Sequence, residues 1–379
     1  ASKIGYSLFW PNYEPFMIPS RTELQARLEK FRRVLSSRKL GAVLIVNEQN
    51  VRYLSGFTGS DSALLITSRH KYLLTDFRYF EEGRHSAPGW KMVARMPGSL
   101  MKKSGYYVRK LRIRKLTVEA ADMRLADLRA LRQSAPSVKI KPEDSLVGEL
   151  RIIKSPWEVR RIEAALRIQE VCFKKLCQAL TPGISEREAA AKLRYLMVQS
   201  GGDDQAFQSM FQIDSHSSLP HGRPTQRRLP RQAIVLMDWG AKVDGYHSDL
   251  TRTFFLGNIP SRLRKIHGIV LAAQQAAIQK VAPGVALADV DEAARQIIRK
   301  AGYGKAFGHS TGHGLGLDIH ESPSVSARAK GTLKPGMVIT VEPGIYLPGV
   351  GGARIEDVVL VTSSGHRVLS HLEKGLRWN

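Results

Sequence analysis

The sequence predicts an α/β domain over residues 1–150 followed by an α+β domain over residues 151–379. Length is the first reason, because 379 residues exceed what one ordinary core grows to. The second is a change of texture. Helix-period and short strand-like segments alternate through the first part, as in α/β folds, whereas the second part interleaves long helices with Gly-punctuated strands. The third is the break itself, "PEDSLVGELRIIKSPWEV" from Pro142, where Pro and charge interrupt the pattern and a long amphipathic helix starts after Pro156.

Each element has its own signal. Leu24, Leu28, Phe31 and Leu35 recur at helical spacing and predict a helix over 21–39. "GAVLIV" (41–46), "SALLIT" and "YLLTD" are short apolar runs that predict buried strands. The segment "KKSGYYVRKLRIRK" (102–115) alternates like an edge strand guarded by Lys and Arg, and a helix is expected near 123–133. Beyond the break, helices are expected at about 157–180, 185–201, 261–281 and 287–301. The strands are expected at 233–240, 245–256, 337–347 and 353–362, mostly antiparallel.

Composition narrows the class. The 43% hydrophobic content is globular, and no run of about 18 apolar residues offers a membrane span. The first residues show no basic segment followed by an apolar core, so a soluble, cytoplasmic protein without a membrane partner is expected. Cys172 and Cys177 form neither a disulfide framework nor a CxxC motif and are expected in the core or at its boundary. The charge is +24, of which +13 falls in residues 1–150. Because the excess is spread over both parts, a solvated surface is expected, with nucleic acid not expected as a partner.

Function enters through "IVLMDWGAKVDGYHSDLTRTFFLG" (234–257), two apolar runs that each hold an acid, Asp238 and Asp249. Buried unpaired carboxylates cost several kcal/mol. Asp244-Gly245 signals a two-residue hairpin turn, which sets 243 against 246, 240 against 249 and 238 against 251. The two acids then share a face, with Gly240 leaving open space beside them. Taken alone, they also fit a solvent-facing hairpin.

Downstream residues decide between these. "GHSTGHGLGLDIHE" (308–321) places three histidines in a Gly-rich stretch unlike the HExxH zinc helix. Glu342 closes the apolar run of "MVITVEPGIY", and Glu356 sits within "GGARIEDVVLV" beside Arg354. Four acids in apolar strands need compensating positive charge, which two divalent cations supply. Oxygen-rich ligation with one imidazole suits Mn²⁺, with Co²⁺ and Zn²⁺ also compatible. Such a pair generates hydroxide and stabilises an oxyanion, the arrangement for two-metal hydrolysis.

The ordered blocks "DWGAKVDGYHSDLTRTF", "GHSTGHGLGLDIHE", "VEPGIY" and "RIED" resemble those of the pita-bread metallopeptidases, which include methionine aminopeptidase, aminopeptidase P and prolidase. The resemblance implies Asp238, Asp249, His313, Glu342 and Glu356 as metal ligands, Asp249 and Glu356 bridging. "SLPHGRP" is similar to the segment that presents a substrate-contacting histidine, here His221. It further implies that His309, His320 and Arg354 contact the substrate and that Arg354 also supports the second bridging carboxylate. "NVRYLSGFTGSDSALLIT" and "LLTDFRYF" resemble the creatinase-type N-terminal domain. Nearly the whole chain is covered, apart from roughly the first 18 residues.

The resemblance implies a hydrolase acting on proline-containing peptides, in which a bridging hydroxide attacks the Xaa-Pro amide. His320 or His221 is expected to hydrogen-bond the developing oxyanion, and Glu342 to relay a proton to the leaving nitrogen. A homodimer is expected. An Xaa-Pro aminopeptidase is the first expectation, an Xaa-Pro dipeptidase (prolidase) the alternative, and a basic non-catalytic binding protein the remote one. A dipeptidase must hold the carboxylate of its C-terminal proline, and Arg328 is the sole arginine of the segment "ESPSVSARAKGTLKPGM" that offers a fork for it.

Overall fold

Ser20 opens the first helix by accepting from the backbone N–H of Glu23, and Leu24, Leu28, Phe31 and Leu35 form its buried stripe. That helix begins a computed structural model describing residues 19–94, 98–258, 260–375 and 377–378. The chain divides into two compact units, one ending at Arg151 and the other starting at Ile152.

In the first unit α1 (Arg21–Ser37), β1 (Ala42–Ile45), α2 (Glu48–Ser55), β2 (Ala63–Thr67) and β3 (Lys71–Leu74) come first. They are followed by α3 (Phe80–Ser86), β4 (Lys91–Val93), α4 (Leu100–Lys110), β5 (Lys115–Glu119), α5 (Leu125–Ser134), β6 (Lys139–Glu143) and α6 (Gly148–Arg151). One six-stranded sheet runs β4-β3-β2-β1-β5-β6. The pairs β1–β5, β5–β6 and β3–β4 are parallel, and β1–β2 and β2–β3 antiparallel. Every residue of β1 and β2 is buried, which is why both read as continuous apolar runs. The edge strand expected within 102–115 is mostly helix. Met101, Ser104, Gly105 and Val108 are buried along one face of α4, and Ser99 caps it. Helical spacing of small and apolar residues outweighed the apparent alternation.

The second unit starts with α7 (Pro156–Ala179) and α8 (Glu186–Gln199). Each opens with a capping box, Ser155 with Glu158 and Ser185 with Glu188, and Pro156 takes the first helical turn. Next come β7 (Asp204–Gln205), β8 (Met210–Ile213), β9 (Ala233–Trp239), β10 (Ala241–Val243), β11 (Tyr246–His247) and β12 (Leu250–Leu256). Two further helices, α9 (Ser261–Lys280) and α10 (Leu287–Lys300), precede β13 (Gly312–Gly314), β14 (Glu321–Val325) and β15 (Val338–Val341). The last strands are β16 (Gly344–Leu347), β17 (Gly351–Arg354), β18 (Asp357–Val361), β19 (His366–Val368) and β20 (Arg377–Trp378).

Two sheets carry the unit, β20-β12-β9-β8 and β14-β13-β15-β18-β19. Smaller sheets β11-β10-β7 and β16-β17 flank them. All pairs are antiparallel except β12–β20. The strands expected as continuous at 245–256, 337–347 and 353–362 are each interrupted, at Ser248-Asp249, Glu342-Pro343 and Ile355-Glu356. Each interruption contains one acid. Cys172 is buried and Cys177 half-buried, both as free thiols.

Candidate metal centre

The hairpin turns at Asp244 and Gly245, with φ of 48° and 74°. Both values lie in the left-handed region that a type I′ turn requires. Val243 therefore pairs with Tyr246 and Thr251 with Asp238. Gly240 has a different reason from the one its sequence position suggested. A Cβ there would sit 2.0 Å from the Ser248 carbonyl oxygen and within 3.0 Å of Ala206 and Phe207. The glycine admits the Ser248 backbone and the Ala206-Phe207 segment, not a ligand.

Strand ends bring the acids together. Asp249 precedes β12, Glu342 follows β15, and Glu356 lies between β17 and β18 rather than inside a strand. His313 is the middle residue of β13, where its N–H donates to Thr340 Oγ1 at 3.0 Å. All five, with His221, His309, His320 and Arg354, line one cavity of about 500 Å³. Phe207, Met210 and Ile319 supply apolar wall.

The electrostatics of this cluster are unusual. Burial raises the pKa of Asp238 against the pull of Arg354, and it raises Asp249 and Glu356 well above the carboxylate range, where neighbouring acids lift these two further. Glu342 is pushed up to about 7, chiefly by burial. Asp238 Oδ1 and Glu356 Oε1 are buried with no hydrogen-bond partner among the described residues. His313 Nδ1 donates to the Gly314 carbonyl at 3.0 Å, so the lone pair of Nε2 faces Asp249 at 3.5 Å and Glu342 at 3.4 Å. Lone pairs opposed to carboxylates repel, and orphaned buried oxygens are rare in native folds. Asp249, His313 and Glu356 each offer a ligand atom within 4.8 Å of the others. The donor set fits divalent cations held by oxygen and one neutral imidazole.

Arg354 is the one cation inside the cluster among the described residues. Its Nη2 donates to Asp238 Oδ2 at 2.5 Å and its Nε to Thr251 Oγ1 at 3.0 Å, while Nη1 donates to the Tyr346 hydroxyl and the Pro220 carbonyl. Sequence comparison gave Arg354 a substrate-contacting role and a bond to the second bridging acid. Instead its donors are committed to protein, and it meets Asp238 directly. It reaches Glu356 only through Thr251, whose hydroxyl donates to Glu356 Oε2 at 2.8 Å. Tyr346 then donates to His309 Nε2 at 2.9 Å, because His309 Nδ1 donates to the Ser310 carbonyl. Burial lowers the His309 pKa to about 4 and keeps the ring neutral in this chain. Thr251 and Tyr346 were missed because their positions matter only once the strands are assembled.

His221 and His320 differ from His309. Both are exposed within the cavity lining, and neither ring has a hydrogen-bond partner among the described residues. His320 packs edge-on against His313 at 4.5 Å between centroids. The loop carrying His221 is anchored by Glu186. This buried carboxylate accepts from the N–H of Ile213, His216 Nδ1, and the N–H and hydroxyl of Thr225.

Arg328 is not brought to the site. It is exposed beyond β14 and is absent from the cavity lining. The arginine that does line the cavity is Arg223, two residues after His221, exposed and without an ion-pair partner among the described residues. Its signal lies in "SLPHGRP", beside the histidine.

Residues 160–363 match metallopeptidase family M24, and residues 27–153 match the creatinase/prolidase N-terminal domain. The chain is 36% identical over 350 residues to an uncharacterized peptidase of Bacillus subtilis, covering 92% of this chain and 99% of that one. It is 34% identical over 355 residues to an Xaa-Pro dipeptidase of Pyrococcus horikoshii, covering 93% and 99%. Among solved structures, an Xaa-Pro dipeptidase from Bacillus anthracis superposes with a TM-score of 0.90 at 34% identity, covering 93% of this chain and 99% of that one. An X-Pro aminopeptidase from Thermotoga maritima gives 0.85 at 33% identity, covering 90% and 99%.

Proposed function

The chain belongs to metallopeptidase family M24, with its pita-bread catalytic fold, and on that premise we propose that it hydrolyses the amide bond before proline, with Xaa-Pro dipeptides as its principal substrates. The observation that carries the hydrolase reading is the buried donor set with two orphaned carboxylate oxygens lining an open cavity. Relatives named as Xaa-Pro dipeptidases support the dipeptide reading over the aminopeptidase that sequence alone put first.

Asp238, Asp249, His313, Glu342 and Glu356 would hold the ions, with Mn²⁺ the expected metal. Bound divalent cations supply Lewis acidity at the scissile carbonyl and a more acidic water. The chain does the rest. Arg354 and Thr251 orient Asp238 and Glu356. His221 and His320, whose rings at the cavity wall have no hydrogen-bond partner among the described residues, are placed to donate to the carbonyl oxygen where charge develops. We assign Glu342 to hold the proton delivered to the leaving proline nitrogen, since Thr340 is its one side-chain hydrogen-bond partner among the described residues. Phe207, Met210 and Ile319 exclude water from the proline ring.

Arg223 completes the dipeptide reading. Arg354 is committed elsewhere, so Arg223 is the guanidinium left in the lining to grip a free carboxylate. The test compares Ala-Pro with Ala-Pro-Ala in wild type and Arg223→Ala, with Mn²⁺ supplied. The dipeptide should be preferred, and the variant should raise its KM by about 10- to 100-fold, the scale of one charge-assisted hydrogen bond. Equal cleavage of the tripeptide with no effect of Arg223→Ala makes the protein an aminopeptidase. Loss of cleavage before proline altogether rejects the premise on substrate.

A further inference from the structure

One end of the N-terminal sheet gathers charge that had read as diffuse in the sequence. Four segments meet there: the residues after α1, the β2–β3 turn, the connection from α4 to β5, and the beginning of β6. They line a groove of about 800 Å³ with eight Lys or Arg residues, one histidine and no carboxylate. All lie within the first unit.

The pairing of these cations is incomplete. Arg38 bonds Glu149 at 2.7 Å, and Lys141 bonds Glu143, both acids standing outside the lining. Lys39, Arg69, Arg112, Arg114, Lys115 and Lys139 have no carboxylate partner among the described residues. The C-terminal ends of α1 and α4 enter the groove and offset about half a charge each, so about five positive charges stay unbalanced. Backbone geometry adds a second observation. Lys39 and Arg112 have φ of 55° and 54° just beyond those two helices, in the region where glycine is the default. Long cations stand where the chain favours a residue without a side chain.

The lining also shows what kind of anion fits. His70 is its one aromatic ring, so no platform exists on which successive nucleobases could stack. Recognition must go through oxygens, for which Arg forks and Lys point charges are suited. We propose that this groove binds an oligophosphate, a chain of closely spaced phosphates held through its oxygens alone. The site is separate from the cavity of the second unit, and its occupant need not be a peptide.

Calorimetric titration of the full chain with a short inorganic polyphosphate tests this. Binding is expected, weakening by about 50-fold between 50 and 200 mM salt if about four phosphates are neutralised. The variant Arg112→Ala/Arg114→Ala/Lys139→Ala should lose at least about tenfold in affinity while its Xaa-Pro hydrolysis and thermal melting stay at wild-type values. Lys139→Glu, a single exposed change, should weaken binding in the same direction. Absence of binding, or equal binding by wild type and both variants, overturns the proposal. A single-stranded oligouridylate at equal phosphate concentration forms the other arm, and tighter binding there than to polyphosphate assigns the groove to nucleic acid and also overturns it.

Discussion

Glu356 and Asp357 are adjacent in sequence and both are buried, yet they live in opposite electrostatic worlds. Asp357 is fully enclosed and accepts from Arg252 Nη2 at 2.9 Å, Ser370 Oγ at 2.7 Å and Gln274 Nε2 at 2.7 Å, with Lys374 Nζ at 2.5 Å. Burial pushes its pKa up, but Arg252 and Lys374 outweigh burial and hold it below the usual range. Glu356 has Thr251 on one oxygen and, among the described residues, no hydrogen-bond partner on the other, and burial drives its pKa far upward. Burial of charge therefore does not mark a functional site. Clustered carboxylates buried without satisfaction do, because the fold has accepted a cost that a ligand is positioned to remove.

The sharpest way to break that contrast is to remove each acid. Glu356→Ala should lower turnover by at least about 10³-fold, the scale of several kcal/mol of transition-state stabilisation, and abolish metal loading. Metal-free Glu356→Ala should melt no lower than metal-free wild type. Asp357→Ala should behave in reverse, losing about 3–5 kcal/mol of stability by stranding a buried arginine. Metal analysis and melting curves decide, and two ions retained in Glu356→Ala would sink the assignment. Asp249→Ala is expected to follow Glu356→Ala.

A smaller effect separates holding metal from touching substrate. His221→Ala should keep its metal while turnover falls by about 10²-fold, as for one transition-state hydrogen bond. Loss of metal would place this ring among the ligands instead. Thr251→Val keeps the shape of the contact but removes the hydroxyl between Arg354 and Glu356. About a tenfold loss of metal affinity is expected, and an unchanged affinity would show that Thr251 only fills space.

The smallest effect is a pH dependence. In metal-free protein the pKa of Glu342 is raised from 4.5 to about 7. A raised carboxyl means that the folded state binds more protons than the unfolded one. The stability this contributes is complete below about pH 4.5 and is lost as pH rises through 7. Asp249 and Glu356 shift in the same direction. Metal-free wild type should therefore melt roughly 5 °C lower at pH 8 than at pH 5, and Mn²⁺ should reverse the trend because it binds deprotonated ligands. Glu356→Gln should flatten the metal-free profile, and an equally steep profile in that variant would place the cause elsewhere.

Local chemistry explains which parts were readable from sequence. The α/β plus α+β class was legible in the alternation and its break, and the turn at Asp244-Gly245 carried the register out to Asp238 and Thr251. The true purpose of Gly240 was hidden, because the Ser248 carbonyl reaches it through tertiary approach. Residues 102–115 misled for a related reason, since charges and aromatics alternate locally while Met101, Ser104 and Val108 meet the core at helical spacing. The partners of Arg354 could not be read, as Asp238, Thr251 and Tyr346 come from three different strands. Arg328 is the sole arginine of the segment between the histidine block and Glu342, whereas the cavity wall is completed by a loop before β9.

That loop has an implication for redesign. His221 and Arg223 ride on a segment held at both ends by Glu186, through the N–H of Ile213 on one side and Thr225 on the other. Its bond to the donor cluster runs from Arg354 to the Pro220 carbonyl, which a backbone provides with most residues in place. Residues 219–224 thus form an exchangeable cassette, in which peptide selectivity can be rewritten while every candidate metal ligand stays untouched. Two positions are fixed: His221, which turnover requires, and Gly222, where a Cβ would lie 2.2 Å from Gln212 Nε2, so a library built on this segment should keep both and vary Arg223 and the outer residues.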